Sequence, residues 1–230
     1  MEEVQKALQA CRLFRELPEE GLETLAGLGR RRRFGRGALL IEPQETVDWF
    51  GVVLSGRVLI LQMFSDGVSS LMNTLRPGYV LGADLICTDS LRSPYTAMAD
   101  GDGALLVFSR TALLEPGTLP EAYRLMVWGA LLRFLSHENM RKHYRLAILS
   151  RRGLRDRVLT WLTMQTRRRG TNQFQAGFSR EELADFLCVN RSALSHELSK
   201  MAAEGLIAFH RNEFTLLEAG EALCTWRETD

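Results

Sequence analysis

Residues 178–198 read Phe178-Ser179-Arg180-Glu181-Glu182-Leu183-Ala184-Asp185-Phe186-Leu187-Cys188-Val189-Asn190-Arg191-Ser192-Ala193-Leu194-Ser195-His196-Glu197-Leu198. Two capped helical patterns meet there at a short joint. In the first, the Ser179 hydroxyl can accept from a first-turn amide while Glu182, three residues on, reaches back to form a capping box. Leu183, Phe186 and Leu187 then share one face. After Cys188, Val189 and Asn190, the Asn190 side chain can cap a second helix with Leu194, Leu198 and Met201 inward and Gly205 at its end. Small residues at Ala184 and Ala193 let the two helices cross closely. Arg191, Ser192, Ser195, His196 and Lys200 are left on the outward face. Arginine can donate twice to guanine and serine can serve bases or phosphate, so this face suits a major groove.

An ordinary helical hairpin with a solvated polar face is the competing reading, and residues 206–217 weaken it. Leu206-Ile207-Ala208-Phe209 and Phe214-Thr215-Leu216-Leu217 are strand-like runs flanking a basic tip, His210-Arg211-Asn212-Glu213. Helix, joint, helix and hairpin read as a winged helix-turn-helix. The residues expected to meet DNA are Ser179, Arg180, Asn190, Arg191, Ser192, Ser195, His196, Lys200 and Arg211.

Composition bounds the rest. The chain has 230 residues, 46% of them hydrophobic and 25% charged, which fits a globular protein of two domains. No apolar run is long enough for a membrane span, and Met1-Glu2-Glu3 is unlike a secretory signal, so a cytoplasmic protein without membrane partners is expected. Cys11, Cys87, Cys188 and Cys224 form no C-x-x-C pair, and reduced, buried or half-buried thiols are expected. With a net charge of +1, affinity for nucleic acid has to come from local clusters. Arg151, Arg152, Arg155 and Arg157, then Arg167-Arg168-Arg169, lie close in sequence to the proposed recognition helix; Arg30 to Arg33 read as a solvated helix end.

The N-terminal half has another rhythm. Helical patterns cover about residues 3–13 and 18–29, with Pro18 at a favoured first-turn position and Glu19-Glu20 beside the positive end of the dipole. From 34 to 110, turn signals at Arg36-Gly37, Ser55-Gly56, Asp66-Gly67, Pro77-Gly78 and Asp100 to Gly103 separate short apolar runs, which argues for an all-β barrel or jelly roll. Beyond Pro120-Glu121, Leu125, Trp128, Leu132, Leu135, Asn139, Lys142, Leu146 and Leu149 recur three and four apart, the seam of a dimeric coiled coil. Polar Asn139 and Lys142 could fix register between identical helices. Packing of this helix on its own barrel is the rival reading. Gly153 is a plausible hinge before Leu154, Val158, Trp161 and Leu162.

The fold class expected is thus α+β: an N-terminal jelly-roll β-barrel sensor domain (1–119), a long dimerisation helix (120–150) and a C-terminal winged helix-turn-helix domain (151–230). That order resembles the Crp-Fnr superfamily of bacterial transcription regulators over essentially the whole chain. The resemblance rests on Gly37, Ser55-Gly56, Pro77-Gly78 followed by Gly82, Arg92-Ser93, and the motif Val189 to Leu198. It implies a homodimer on double-stranded DNA at a palindromic operator, with recognition helices roughly 34 Å apart and RNA polymerase as a partner. It also implies that relatives commonly carry arginine where this chain has His196, so operator preference is expected to differ at one position of each half-site.

In cyclic-nucleotide-binding members the phosphate pocket opens with Gly-Glu, the Glu bonding the ribose, and closes with Arg-Ser on the cyclic phosphate. The corresponding segment here, residues 82–97, keeps Arg92 and Ser93. Ala83 stands where the Glu is expected, Asp84 comes one place late, and Pro94 has no N–H to offer a phosphate. These departures argue for an effector other than cyclic AMP; a cyclic-nucleotide-responsive regulator and an effector-independent one are the alternatives. An iron-sulfur cluster lacks ligands, with Cys11 alone near the N-terminus. Haem would have only Cys87 in the β domain, since His137 and His143 fall on the long helix. Cys87 as a redox sensor finds no thiolate-stabilising neighbour in Ile86 or Thr88. No metal or cofactor is therefore expected. The family's architecture directs a small organic effector to Gly82, Asp84, Leu85, Arg92, Ser93, Tyr95, Trp128 and Leu132.

Catalysis has no support: there is no Ser-His-Asp arrangement, no H-E-x-x-H, and Gly35-Arg36-Gly37 is too short to cradle a nucleotide. The mechanism expected is allosteric, an effector or redox change moving the DNA-binding domains about Gly153 through different affinity for two arrangements.

Overall fold

A computed structural model describes residues 2–64, 67 and 69–223. Cys224 and Asp66 lie outside the described residues. The chain divides into two compact units, 1–138 and 139–230.

The first unit begins with α1 (Glu2–Ala10) and α2 (Glu19–Leu28), followed by eight strands: β1 (Arg30–Phe34), β2 (Leu39–Ile41), β3 (Trp49–Ser55), β4 (Val58–Met63), β5 (Ser69–Leu75), β6 (Val80–Leu81), β7 (Thr96–Ala99) and β8 (Gly103–Ser109). They form two four-stranded sheets, β1-β8-β3-β6 and β2-β7-β4-β5, with every pairing antiparallel. The sheets make a β-roll rather than a closed barrel. Alternation along the strands explains the two cores. Phe50, Val52 and Leu54 of β3, with Ala104, Leu106 and Phe108 of β8, join Leu8, Phe14 and Leu25 under the helices. Val53 and Leu105, the odd residues of the same strands, join Phe34, Ile41, Val58 and Ala97 between the sheets. β3 reads as almost continuously apolar because both of its faces are covered. The helices end slightly earlier than the periodicity predicts, and Pro18 is the N-cap of α2 rather than its first residue.

One expectation is corrected here. Arg30 to Arg33 are not a helix end but an exposed strand, paired with β8 from Arg30↔Val107 to Phe34↔Gly103. α2 stops at Leu28, and strand pairing takes over after Gly29. β1 lies at the sheet edge, where a row of charge discourages pairing with another chain. Arg31 pairs with Glu3 and Arg32 lies over the Trp49 ring.

After α3 (Arg110–Leu114), α4 (Glu121–Leu149) runs for 29 residues. Its buried stripe is not the predicted seam. Val127, Ala130 and Leu131 enter the helix-side core of the first unit, with Tyr123 and Phe134 packed beside them. The seam residues Leu125, Leu132 and Leu146 are 57%, 69% and 67% exposed; Trp128, Asn139 and Lys142 are also exposed, and Leu135 and Leu149 half-buried. The helix thus packs on its own β-roll with one stripe, as the rival reading of the sequence has it, and leaves most of the heptad stripe exposed.

In the second unit, α5 (Leu154–Arg169), β9 (Gln173–Gln175), α6 (Arg180–Phe186), α7 (Arg191–Ala203), β10 (Ile207–His210), β11 (Glu213–Leu216) and α8 (Glu218–Leu223) surround a core led by Trp161, Phe174, Phe214, Leu194 and Leu198. Trp161 meets Phe174 and Phe214 edge-on. The wing is a three-stranded sheet, β10-β11-β9. Pairing of His210 with Glu213 shortens its tip to Arg211-Asn212. Among the described residues no helix is long and apolar enough to cross a membrane.

Candidate nucleic-acid interface and effector loop

The predicted caps form. The Ser179 hydroxyl accepts from the Glu182 N–H (3.2 Å), and the Ser179 N–H donates to the Glu182 carboxylate (2.8 Å). Asn190 Oδ1 accepts from the Ala193 N–H (2.7 Å) and from the Ser192 hydroxyl (2.8 Å), so it fixes the first turn of α7. Leu194, Leu198 and Met201 are buried. Arg191, Ser192, His196 and Lys200 are exposed on the opposite face, joined by Ser199, and Ser195 is half-buried. The guanidinium of Arg191, the ring of His196 and the ammonium of Lys200 make no hydrogen bond or ion pair among the described residues. The face is capped, and its three basic side chains are exposed.

The neighbouring cations behave differently. Arg155 donates to Glu197 (2.8 Å) and to both oxygens of Glu204, holding α7 against α5. Those bonds raise the Arg155 pKa and hold the Glu204 carboxyl below its usual range. Arg169 lies over Phe174 and donates to the Gln175 carbonyl. Arg180, expected to meet DNA, is turned to the wing: it lies over Phe209 and Phe214, 5.1 and 5.3 Å from the ring centroids, and donates to the Arg211 carbonyl (2.7 Å). Burial, reinforced by the charge of Arg191, lowers its pKa. That bond also holds Arg211 in its left-handed conformation, φ +52°, at the wing tip. Sequence position put these arginines near the recognition helix; Arg155 and Arg180 are instead engaged by acidic and aromatic partners remote in sequence, and Arg169 by the adjacent β9. The signal available was the pair of wing phenylalanines, Phe209 and Phe214, facing Arg180.

The effector loop begins at Gly82, φ +82°, where a Cβ would stand 2.9 Å from the Trp49 carbonyl, so only glycine fits. The backbone then turns without forming an α-helix, burying Ala83, Leu85 and Ile86. Its polar groups bond one another. The Tyr95 hydroxyl donates to Asp84 (3.0 Å), and burial, with Asp84 beside it, raises the Tyr95 pKa. The Ser93 hydroxyl donates to the Tyr95 carbonyl (2.8 Å), while its N–H donates to the Glu45 carbonyl (3.0 Å). Arg92 is exposed and reaches the Gln44 carbonyl (3.3 Å). Gly82, Asp84, Leu85, Ser93 and Tyr95 are therefore gathered. Trp128 instead donates to the Leu113 carbonyl (2.8 Å) beneath Arg124, and Leu132 is exposed.

Among the described cysteines, Cys11 is buried and its thiol is pushed up to about 12 by desolvation. Cys87 and Cys188 are exposed, where buried or half-buried thiols are expected from the sequence. Desolvation raises the Cys87 pKa despite Arg110 nearby, so it is no poised thiolate. No group of three or more metal-ligating side chains occurs among the described residues.

Residues 31–115 match the cyclic nucleotide-binding domain and residues 156–224 the Crp-like helix-turn-helix domain. The nitrogen fixation regulation protein FixK of Azorhizobium caulinodans is 26% identical over 208 residues, 87% of this chain and 80% of that protein. Among solved structures, the catabolite activator protein of Thermus thermophilus is 24% identical with a TM-score of 0.54, covering 90% of this chain and 94% of its own. The c-di-GMP-responsive regulator CLP of Xanthomonas campestris shares the fold at 19% identity with a TM-score of 0.62, covering 86% of this chain and 99% of its own. With a cyclic-nucleotide-binding-type domain ahead of a Crp-like helix-turn-helix, the chain belongs to the Crp-Fnr family of transcription regulators.

Proposed function

We propose that the chain acts as a homodimer that reads a palindromic operator with paired α7 helices and answers to an effector other than cyclic AMP. The capped, outward face of α7, with Arg191, His196 and Lys200 unengaged, carries the reading. Ser192, Ser195 and Arg211 flank it as phosphate contacts, and Ser179 and Asn190 act mainly as caps. The open heptad stripe of α4 supports the dimer, since exposed leucines at Leu125, Leu132 and Leu146 gain from burial against a second copy. In this reading residues 1–119 sense, 120–150 dimerise and 151–230 bind DNA, with RNA polymerase as the further partner.

The case against cyclic AMP is that Ser93 already uses its hydroxyl and amide within the loop, Pro94 has no N–H, and Asp84 is bonded to Tyr95. A phosphate arriving there would displace internal bonds and meet a carboxylate. The same internal closure favours a second reading, a regulator that binds DNA without any effector. The test is fluorescence anisotropy on the duplex upstream of its own gene, beside a scrambled duplex across a salt series, with and without cyclic AMP. Preference for the upstream duplex, unchanged by cyclic AMP, is expected; an increase in affinity with cyclic AMP would restore the cyclic-nucleotide alternative, and absence of binding at low salt would sink the DNA reading.

A further inference from the structure

Helix α6 ends in a Schellman motif built without glycine. The Cys188 N–H donates to the Asp185 carbonyl (3.1 Å) and the Val189 N–H to the Ala184 carbonyl (3.0 Å), with Cys188 in the left-handed region at φ +56°. This satisfies two of the four carbonyls at the helix end and, among the described residues, leaves Phe186 and Leu187 without backbone donors.

Two arginines from other helices supply them. Arg145 of α4 donates from Nε to the Phe186 carbonyl (3.2 Å) and from Nη2 to the Asp185 carbonyl (3.3 Å), reaches Cys188 Sγ (3.9 Å), and lies over the Phe186 ring. Arg157 of α5 donates from Nη1 to the Leu187 carbonyl (3.1 Å) and from Nε to the Arg151 carbonyl (2.9 Å). Both cations sit at the negative end of the α6 dipole. A left-handed non-glycine residue persists only where its surroundings hold it, and these bonds do so at the residue two places before the cap of α7. Ile148, one turn beyond Arg145, is buried in the same core.

We propose that Arg145 is a positioning residue for DNA recognition: from the last turns of α4 it holds the joint that sets the direction of α7. The idea rests on the reading that α7 contacts DNA. It also relocates the articulation. Arg157 bridges the chain before Gly153 to the joint, so the end of α4 and the start of α7 move as one piece, and bending at Gly153 would break these bonds.

The test uses the full chain, its Arg145→Ala and Arg145→Lys variants, and a duplex that the wild-type chain selects from a random pool. Arg145→Ala should bind the selected duplex about tenfold more weakly, the worth of one charge-assisted hydrogen bond. Its affinity for a scrambled duplex should hold. Amide hydrogen exchange over residues 188–193 should accelerate while the amides of α5 keep their protection, and Arg145→Lys, which can reach one carbonyl, should recover part of both effects. Wild-type discrimination by Arg145→Ala, equal losses on both duplexes, or uniform loosening that includes α5 would each overturn the proposal. If the wild-type chain enriches no sequence, it is the DNA reading that has failed.

Discussion

The outward face of α7 and the loop at 82–97 carry similar side chains, arginine and serine in short order, and dispose of them in opposite ways. On α7 the Asn190 side chain accepts from the Ala193 N–H and from the Ser192 hydroxyl, while Arg191, His196 and Lys200 are left to solvent. In the loop, Ser93 bonds Tyr95 and Glu45, Tyr95 bonds Asp84, and Arg92 reaches Gln44. A ligand at α7 exchanges water for itself, whereas a ligand in the loop must first replace bonds the protein has already made. Motif resemblance at both places is therefore unequal as a guide to binding: the residues match, but more of the loop's polar groups are already bonded within the protein.

Replacing Arg191 with Ala is the sharpest test of that inequality and carries the largest expected effect. Operator affinity should fall by about 1–3 kcal/mol, with discrimination lost at the base it reads. Replacing Arg92 with Ala should leave operator affinity within about twofold, as for surface substitutions away from a site. Anisotropy titrations of both variants decide it, and a comparable loss in each would erase the distinction.

Arg180 tests the boundary within the DNA-binding unit. Its two ring contacts and one charge-assisted hydrogen bond make Arg180→Met cost about 2 kcal/mol of stability in urea denaturation. The salt slope of DNA binding should stay as it is. A slope reduced by about one would mean that the side chain meets a phosphate after all.

The order of elements was readable because it is written in local periodicities: the capping box at Ser179 and Glu182, the three-four spacing of α4 and the turn glycines of the roll are each contained in a few neighbouring residues. The destinations of the arginines were not. Arg155 meets Glu197 and Glu204, Arg145 meets the end of α6, and Arg180 meets two wing phenylalanines. These contacts join residues tens of positions apart, and no local spacing encodes them. Arg30 to Arg33 misled for a related reason, since charge shows exposure without showing period, and an edge strand exposes its residues as a helix end does. α4 hid its second stripe because Val127, Leu131 and Phe134 interleave with the seam.

Tyr95→Phe examines the closed loop directly. Losing the hydroxyl that Asp84 accepts should cost about 1–2 kcal/mol in urea denaturation, since the bond is charge-assisted and partly buried. Operator affinity should be unchanged. If the variant is as stable as the wild type, the loop is not held by this bond and its closure is no barrier to a ligand.

The smallest effects are those of pH, and they take opposite signs on the two helices of the motif. Glu204, after α7, has its carboxyl lowered from 4.5, first by the hydrogen bonds of Arg155. A lowered folded value contributes stability that is present above 4.5 and lost as pH falls through the folded value. Asp185, on α6, is raised from 3.8 by desolvation and then by Glu181 and Glu182, with Arg145 offsetting part. Its contribution is present below 3.8 and lost as pH rises through the raised value, so at neutral pH it weighs against folding. Urea stability of Glu204→Gln and Asp185→Asn, measured from acid to neutral pH, should separate the two. Glu204→Gln should fall below the wild type at neutral pH and meet it in acid. Asp185→Asn should stand above the wild type at neutral pH, and the gap should close as pH falls through the raised value. Parallel curves for both variants would show that neither ionisation is coupled to the fold.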